Sequence, residues 1–192
     1  LVSLPILRGI KREDPLSMIH IDAHTDLFDE YFGGSKFTHG TPFRRAIEEG
    51  RLDPTRVVQI GIRGTMYDGE DIEWGRQNGV HIINIDEVYE TGLDAIMQKA
   101  RDIVGDSPTY VSFDIDAIDP AYAPGTGTPE IGGFTSYEAQ RIVRKLAGLH
   151  LIGADLVEVS PPFDPTGGTG WVGVSIMFEL LCVLATATEK SA

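Results

Sequence analysis

Residues 17–26 read Ser17-Met18-Ile19-His20-Ile21-Asp22-Ala23-His24-Thr25-Asp26. The apolar residues Leu16, Met18, Ile19 and Ile21 have the composition of a strand, which runs without a break into two aspartates and a histidine. Side chains two apart on an extended chain share a face. Continued extension past Ile21 therefore aims Asp22, His24 and Asp26 into one space. Two carboxylates and an imidazole brought together repel unless a cation joins them, and that mixture of oxygen and nitrogen donors suits a divalent transition ion. A polar strand end that caps the next turn is the competing reading of this one motif.

A second stretch has the same form. Tyr110-Val111-Ser112-Phe113 leads into Asp114-Ile115-Asp116, and Asp119-Pro120 follows as a turn. The two-residue period places Asp114 and Asp116 on a shared face. A phosphatase nucleophile motif of the haloacid-dehalogenase kind also sets Asp-x-Asp after an apolar strand. Here Ala117-Ile118 replaces its usual small polar residue, and the first cluster would have no role. Asp22, Asp26, Asp114 and Asp116 together carry four negative charges, which two divalent ions neutralise. Such a pair acidifies a shared water for attack. The oxygen-rich donor set favours Mn²⁺ over Ni²⁺, Co²⁺ or Zn²⁺.

Working outward, strands alternate with helices. A helix over Leu1 to Ile10 precedes the strand Leu16 to Ile21, and a Gly- and aromatic-rich loop, Tyr31 to Gly40, follows. Thr41-Pro42 supplies an N-cap and a first-turn proline for a helix ending by Gly50. Strands at Arg56 to Ile62, Val80 to Ile85, Thr109 to Phe113 and Leu151 to Val157 are interleaved with helices at Asp71 to Asn78, Leu93 to Val104 and Ser136 to Leu149. The pattern predicts an α/β fold, a three-layer α/β/α sandwich on a mainly parallel sheet. Ligands bind such sheets beyond the carboxyl ends of the strands, where both acidic clusters fall. Gly125 to Gly133 is not a dinucleotide fingerprint, because Pro129 would stop the receiving helix; it reads as a loop shaping the pocket.

The chain has 192 residues, 42% of them hydrophobic, which suits one domain over residues 1–192. A net charge of −13 argues against a nucleic-acid or anionic-membrane partner and is compatible with a cationic ligand. The single cysteine, Cys182, forms no internal disulfide, so a reducing, cytoplasmic setting is expected. No signal peptide is visible. Trp171 to Ala187, broken by Glu179, is expected to be a buried helix rather than a membrane anchor.

The acidic motifs, together with His39-Gly40, Ala123-Pro124-Gly125-Thr126-Gly127-Thr128-Pro129 and Val157-Glu158-Val159-Ser160-Pro161-Pro162-Phe163-Asp164, resemble those of the ureohydrolases: arginases, agmatinases, guanidino-acid hydrolases and formimidoylglutamases. The last stretch looks like the agmatinase branch, and Phe43-Arg44-Arg45 looks more like the guanidino-acid hydrolases. The resemblance implies an arginase/deacetylase-like sandwich, homotrimers or hexamers, a link to polyamine metabolism, and two Mn²⁺ ions that serve hydrolysis of agmatine or 4-guanidinobutanoate to urea and an amine. It implies that Asp22 and Asp114 bridge both ions, that Asp26 completes one site, and that His24 with Asp116 completes the other.

Glu158 is expected to pair with the guanidinium and His39 to shuttle a proton to the leaving amine. The expected catalytic residues are His39, Glu158 and Asp116. Tyr31, Phe32 and Arg44 are expected to contact the substrate, with Arg44 and Arg45 offering charge to a carboxylate tail. His20, His81 and His150 read as structural. The family's Gly-Gly-Asp-His-Ser motif, which carries one more ligand, has no counterpart here, so the chain resembles a ureohydrolase without its first strands. A non-catalytic metal-binding or oligomerising fragment and a formimidoylglutamase-type substrate are the alternative readings.

Overall fold

A computed structural model describes residues 2–64 and 68–189. Five parallel strands form one sheet: β1 (Leu16–Ile21), β2 (Leu52–Ile62), β3 (His81–Asn84), β4 (Thr109–Asp114) and β5 (Leu151–Val157). Their order is β3-β2-β1-β4-β5. The chain builds outward from β1 through β2 to β3, then crosses back to lay β4 on the other side of β1. The direction in which strands are added therefore reverses between β1 and β4, and a crevice opens above their carboxyl ends.

Helices α1 (Ser3–Gly9), α2 (Pro42–Glu48) and α3 (Glu70–Asn78) cover one face, where Leu4, Leu7, Phe43, Met18, Val57 and Tyr110 form one apolar cluster. Helices α4 (Ile85–Thr91), α5 (Leu93–Val104), α6 (Ser136–Arg144) and α7 (Gly168–Glu189) cover the other, over Ile19, Ile21, Val58, Ile60, Val111 and Phe113. Alternate residues of β1 thus feed opposite cores, as the two-residue period requires, and the α/β/α sandwich is the architecture observed. Where the sheet meets the crevice, Gly61 takes φ +103°. A Cβ there would lie 2.8 Å from Phe134 and 3.0 Å from the Asp22 carbonyl, so only glycine lets these strands close beside Asp22.

Several boundaries differ from expectation. The first helix runs from Ser3 rather than Leu1, which lies outside the described residues. Thr41 occupies the N-cap of α2 without capping it by its side chain, because its hydroxyl is taken by the loop at Thr38 and Lys36. The helix α4 was not expected. It follows β3 directly, nucleated by Asn84, whose side chain accepts from the Glu87 amide. α6 stops at Arg144, short of Leu149.

The expectation of a buried C-terminal helix is corrected. Ile176, Leu180, Val183 and Ala187 pack inward, but Trp171 is 75% and Phe178 65% exposed. An edge strand and α6 offer α7 only one wall, so its opposite apolar face stays open, and Cys182 is exposed with it. By length and composition alone this helix is long and apolar enough to cross a bilayer.

Candidate metal centre

Because Ile21 and Phe113 are paired across neighbouring parallel strands, the next residues of each, Asp22 and Asp114, stand side by side at the strand tips. Neither tip continues extended. Asp22 Oδ1 accepts a hydrogen bond from the His24 amide at 2.7 Å, and Asp114 Oδ1 accepts one from the Asp116 amide at 2.9 Å, where a 3₁₀ turn over Ile115–Ala117 begins. The expected shared face thus arises from two side-chain-capped turns. The extended period that predicted it is absent. Asp26 joins the cluster through a left-handed backbone, φ 55°.

The side chains converge. His24 Nδ1 lies 3.1 Å from Asp116 Oδ2 and 3.5 Å from Asp22 Oδ1. Ligand-capable atoms of Asp22, His24 and Asp116 lie within 4.8 Å of one another, as do those of His20, Asp22 and Asp26. Asp114 is buried against Asp22, Asp116 and Asp26 and feels the charge of all three.

Crowding moves the titrations. Burial, then repulsion from Asp22, drives Asp26 and Asp114 well above the ordinary carboxylate range, and the same two causes push Asp116 up to about 6. Burial also disfavours charge on Asp22, but His20 and His24 override it and hold this carboxyl below the usual range. Burial disfavours the His24 cation as well; Asp116 and Asp22 override that and raise it to about 11. A cluster so crowded with like charges, which raises the titration of its half-buried His24, has the donor chemistry to fit divalent ions.

Above it lies a cavity of roughly 300 Å³ walled by His24, Asp26, Asp114, Asp116, His39 and Glu158, with Phe28, Tyr31 and the Thr128–Glu130 loop completing it. This volume suits a small ligand. Tyr31 lines the wall and packs edge-on against His39, and Phe32, 72% exposed, lies over the same imidazole at the rim. Asp26, Phe32 and Glu158 are the three non-glycine residues with positive φ among those described. Asp26 and Glu158 line this cavity and Phe32 packs on its His39 wall, a concentration of backbone strain of the kind found at functional sites.

Arg44 does not reach it. Its guanidinium stacks 4.5 Å from the Trp74 ring and pairs with Glu48 and Asp29. Arg45 is tied to the same two acids. Both arginines follow His39 closely in sequence, but α2 turns their side chains away from the crevice.

Two residues were not anticipated. The Arg63 amide donates to the Ala23 carbonyl, and its guanidinium donates to the carbonyls of Asp116, Ala117, Glu130 and Ile131, tying both strand tips and the pocket loop together. Gly133 leaves room for it, since a Cβ there would sit 2.4 Å from the guanidinium. Glu130 lines the cavity with its carboxylate 4.0 Å from His24 Nε2. Neither belongs to a local motif; only the position of Glu130 in the Gly- and Pro-rich loop hinted at it.

Comparison with known proteins accords with this geometry. The profile described as "Arginase family" matches residues 1–183. The chain is 59% identical over 192 residues to a guanidinopropionase of Pseudomonas aeruginosa, covering all of this chain and 60% of that protein. It is 52% identical over 190 residues to a guanidinobutyrase of the same organism, covering 98% and 59%. The proclavaminate amidino hydrolase of Streptomyces clavuligerus superposes with a TM-score of 0.91 at 40% identity, over 97% of this chain and 62% of that one. The chain thus spans about 60% of the length of these curated relatives. On the profile match over residues 1–183 and the 59% identity to a named relative, with the shared fold, this chain belongs to the arginase family.

Proposed function

We propose that the protein to which this chain belongs hydrolyses a small guanidino compound to urea and an amine, with Asp22, His24, Asp26, Asp114 and Asp116 holding two Mn²⁺ ions. The observation that carries the reading is the meeting of two acidic strand tips beneath a cavity that also presents His39 and Glu158. When bound, a pair of divalent ions supplies Lewis acidity, lowering the pKa of water and stabilising developing negative charge. The oxygen-rich donors favour Mn²⁺.

The remaining work falls to the chain. Glu158, at the end of β5 and open to the cavity, pairs with the planar cation and orients its carbon toward the acidic floor. Water adds to that carbon, the bond to the alkylamine nitrogen breaks, and the departing nitrogen takes up a proton. His39, facing the cavity from the loop before α2, delivers that proton. Tyr31 and Phe32 wall the apolar stem of the substrate.

The named relatives favour a short guanidino acid over agmatine. Arg44 is not the residue that recognises its carboxylate, and no Lys or Arg is found among the described residues of the wall. The open apolar face of α7 supports a homo-oligomer, and the single cysteine fits a reducing, cytoplasmic setting.

Full-length protein with Mn²⁺ should release urea from 3-guanidinopropanoate or 4-guanidinobutanoate faster than from agmatine. His39→Ala should slow release about a hundredfold. Urea release unchanged by Asp114→Asn would refute the assignment.

A further inference from the structure

His20 read as a structural histidine, yet its ring lies fully buried directly behind the metal centre. Its Nε2 is 2.7 Å from Asp22 Oδ2 and has no other hydrogen-bond partner. On its far side, Nδ1 is 3.1 Å from Gln59 Nε2. That same Gln59 nitrogen donates to the Thr25 carbonyl at 2.5 Å. A carbonyl accepts only a donor, so this end of the Gln59 side chain is the NH₂ group, and its second hydrogen points at Nδ1.

Nδ1 is then the bare acceptor and Nε2 carries the proton. A protonated Nε2 cannot ligate a metal, but it can hold one oxygen of Asp22 while the other, Oδ1, is fixed by the His24 amide. Gln59 belongs to β2 and is paired in register with His20 of β1, so the pair is built into the sheet itself.

We infer that Gln59 and His20 form a positioning pair for Asp22, in which Gln59 sets the Nε2–H tautomer and His20 orients the carboxylate that faces both sides of the metal centre. The inference rests on the metal reading proposed above. Partners of this kind, one layer behind the ligands, typically shift metal affinity by about 10- to 100-fold.

The test is calorimetric titration of metal-free full-length protein with Mn²⁺, joined to long-range ¹H–¹⁵N NMR of its histidines. His20→Phe keeps the aromatic ring packed on Phe43 but removes the donor. It should weaken Mn²⁺ binding about 10- to 100-fold with the ion count unchanged. His20→Gln, whose amide NH₂ can occupy the Nε2 position, should recover most of that loss, and Gln59→Leu should show an intermediate one. NMR of the wild type should show Nε2 protonated and Nδ1 bare. Wild-type affinity in His20→Phe, or an Nδ1–H tautomer, would overturn the pair. Loss of one ion in both His20 variants would make His20 a ligand and overturn it equally. Wild-type protein that takes up no Mn²⁺ would bring down the metal reading, with the NMR result alone then deciding for or against the pair.

Discussion

At the tip of β1, Asp22 accepts from the amide two residues on; at the tip of β4, Asp114 does the same. The backbone device is shared, but the surroundings are not. Asp22 sits between His20 and His24, which hold its carboxyl low. Asp114 is buried and repelled by Asp22, Asp116 and Asp26, and its own carboxyl is held high. One tip carries its own counter-charge while the other has none, so the second depends on the first, or on added cations, to stay ionised. Placing them on neighbouring strands at the reversal point of the sheet makes one electrostatic unit from two local turns.

The comparison predicts equal importance for the reaction and opposite effects on stability. Asp22→Asn and Asp114→Asn should each reduce urea release by at least about a thousandfold. A much smaller loss in one would mean that a single tip suffices. In the metal-free protein the two should part. Asp22→Asn strands the buried His20 and the half-buried His24 and should cost about 2–4 kcal/mol, whereas Asp114→Asn relieves repulsion and should gain about 1–2 kcal/mol in chemical denaturation. The same sign in both would break the contrast.

A pH series sharpens it further. His24, raised to about 11, contributes stability that is fully present below the unfolded imidazole value of about 6.5 and is lost as pH climbs through about 11. Asp116, raised to about 6, binds its proton more tightly in the fold, so its contribution is lost between about 4 and 6. Asp22, lowered, acts in the opposite sense: its stability is present above the unfolded carboxyl value and lost on acidification. Denaturation midpoints of metal-free protein should therefore be lower at pH 8 than at pH 6. Mn²⁺ should reverse that order, because its binding releases protons.

The smallest effect is expected away from both tips. Arg44→Ala should change KM less than about threefold and stability by less than about 1 kcal/mol, since two ion pairs to solvent-exposed acids and one ring contact are what it loses. A tenfold rise in KM for a guanidino acid would return Arg44 to the substrate.

Much of this was legible in the chain. Leu16–Ile21 and Leu151–Val157 were bounded correctly because each run of strand-forming residues gives way to Asp22 or Glu158, while Asp155 stays inside its strand because Tyr110 and Ser112 donate to it. Asp22, His24, Asp26, Asp114 and Asp116 stood out because each acidic run follows such a strand. That the two runs meet was not readable from spacing; it depends on β4 returning to the side of β1 opposite β2. Arg63 and Gln59 were invisible for the same reason, since each acts on partners that only the sheet brings near. Arg44 was misread because closeness to His39 in sequence says nothing of which way α2 points. α7 was misread because an all-apolar helix does not reveal which face finds a wall.

Anomalous diffraction from Mn²⁺-loaded crystals of the full-length protein tests most directly whether both tips hold metal together. Two peaks about 3.5–4 Å apart, lying between the carboxylates of Asp22 and Asp114, are expected. A single peak, or two peaks each confined to one tip, would contradict that arrangement.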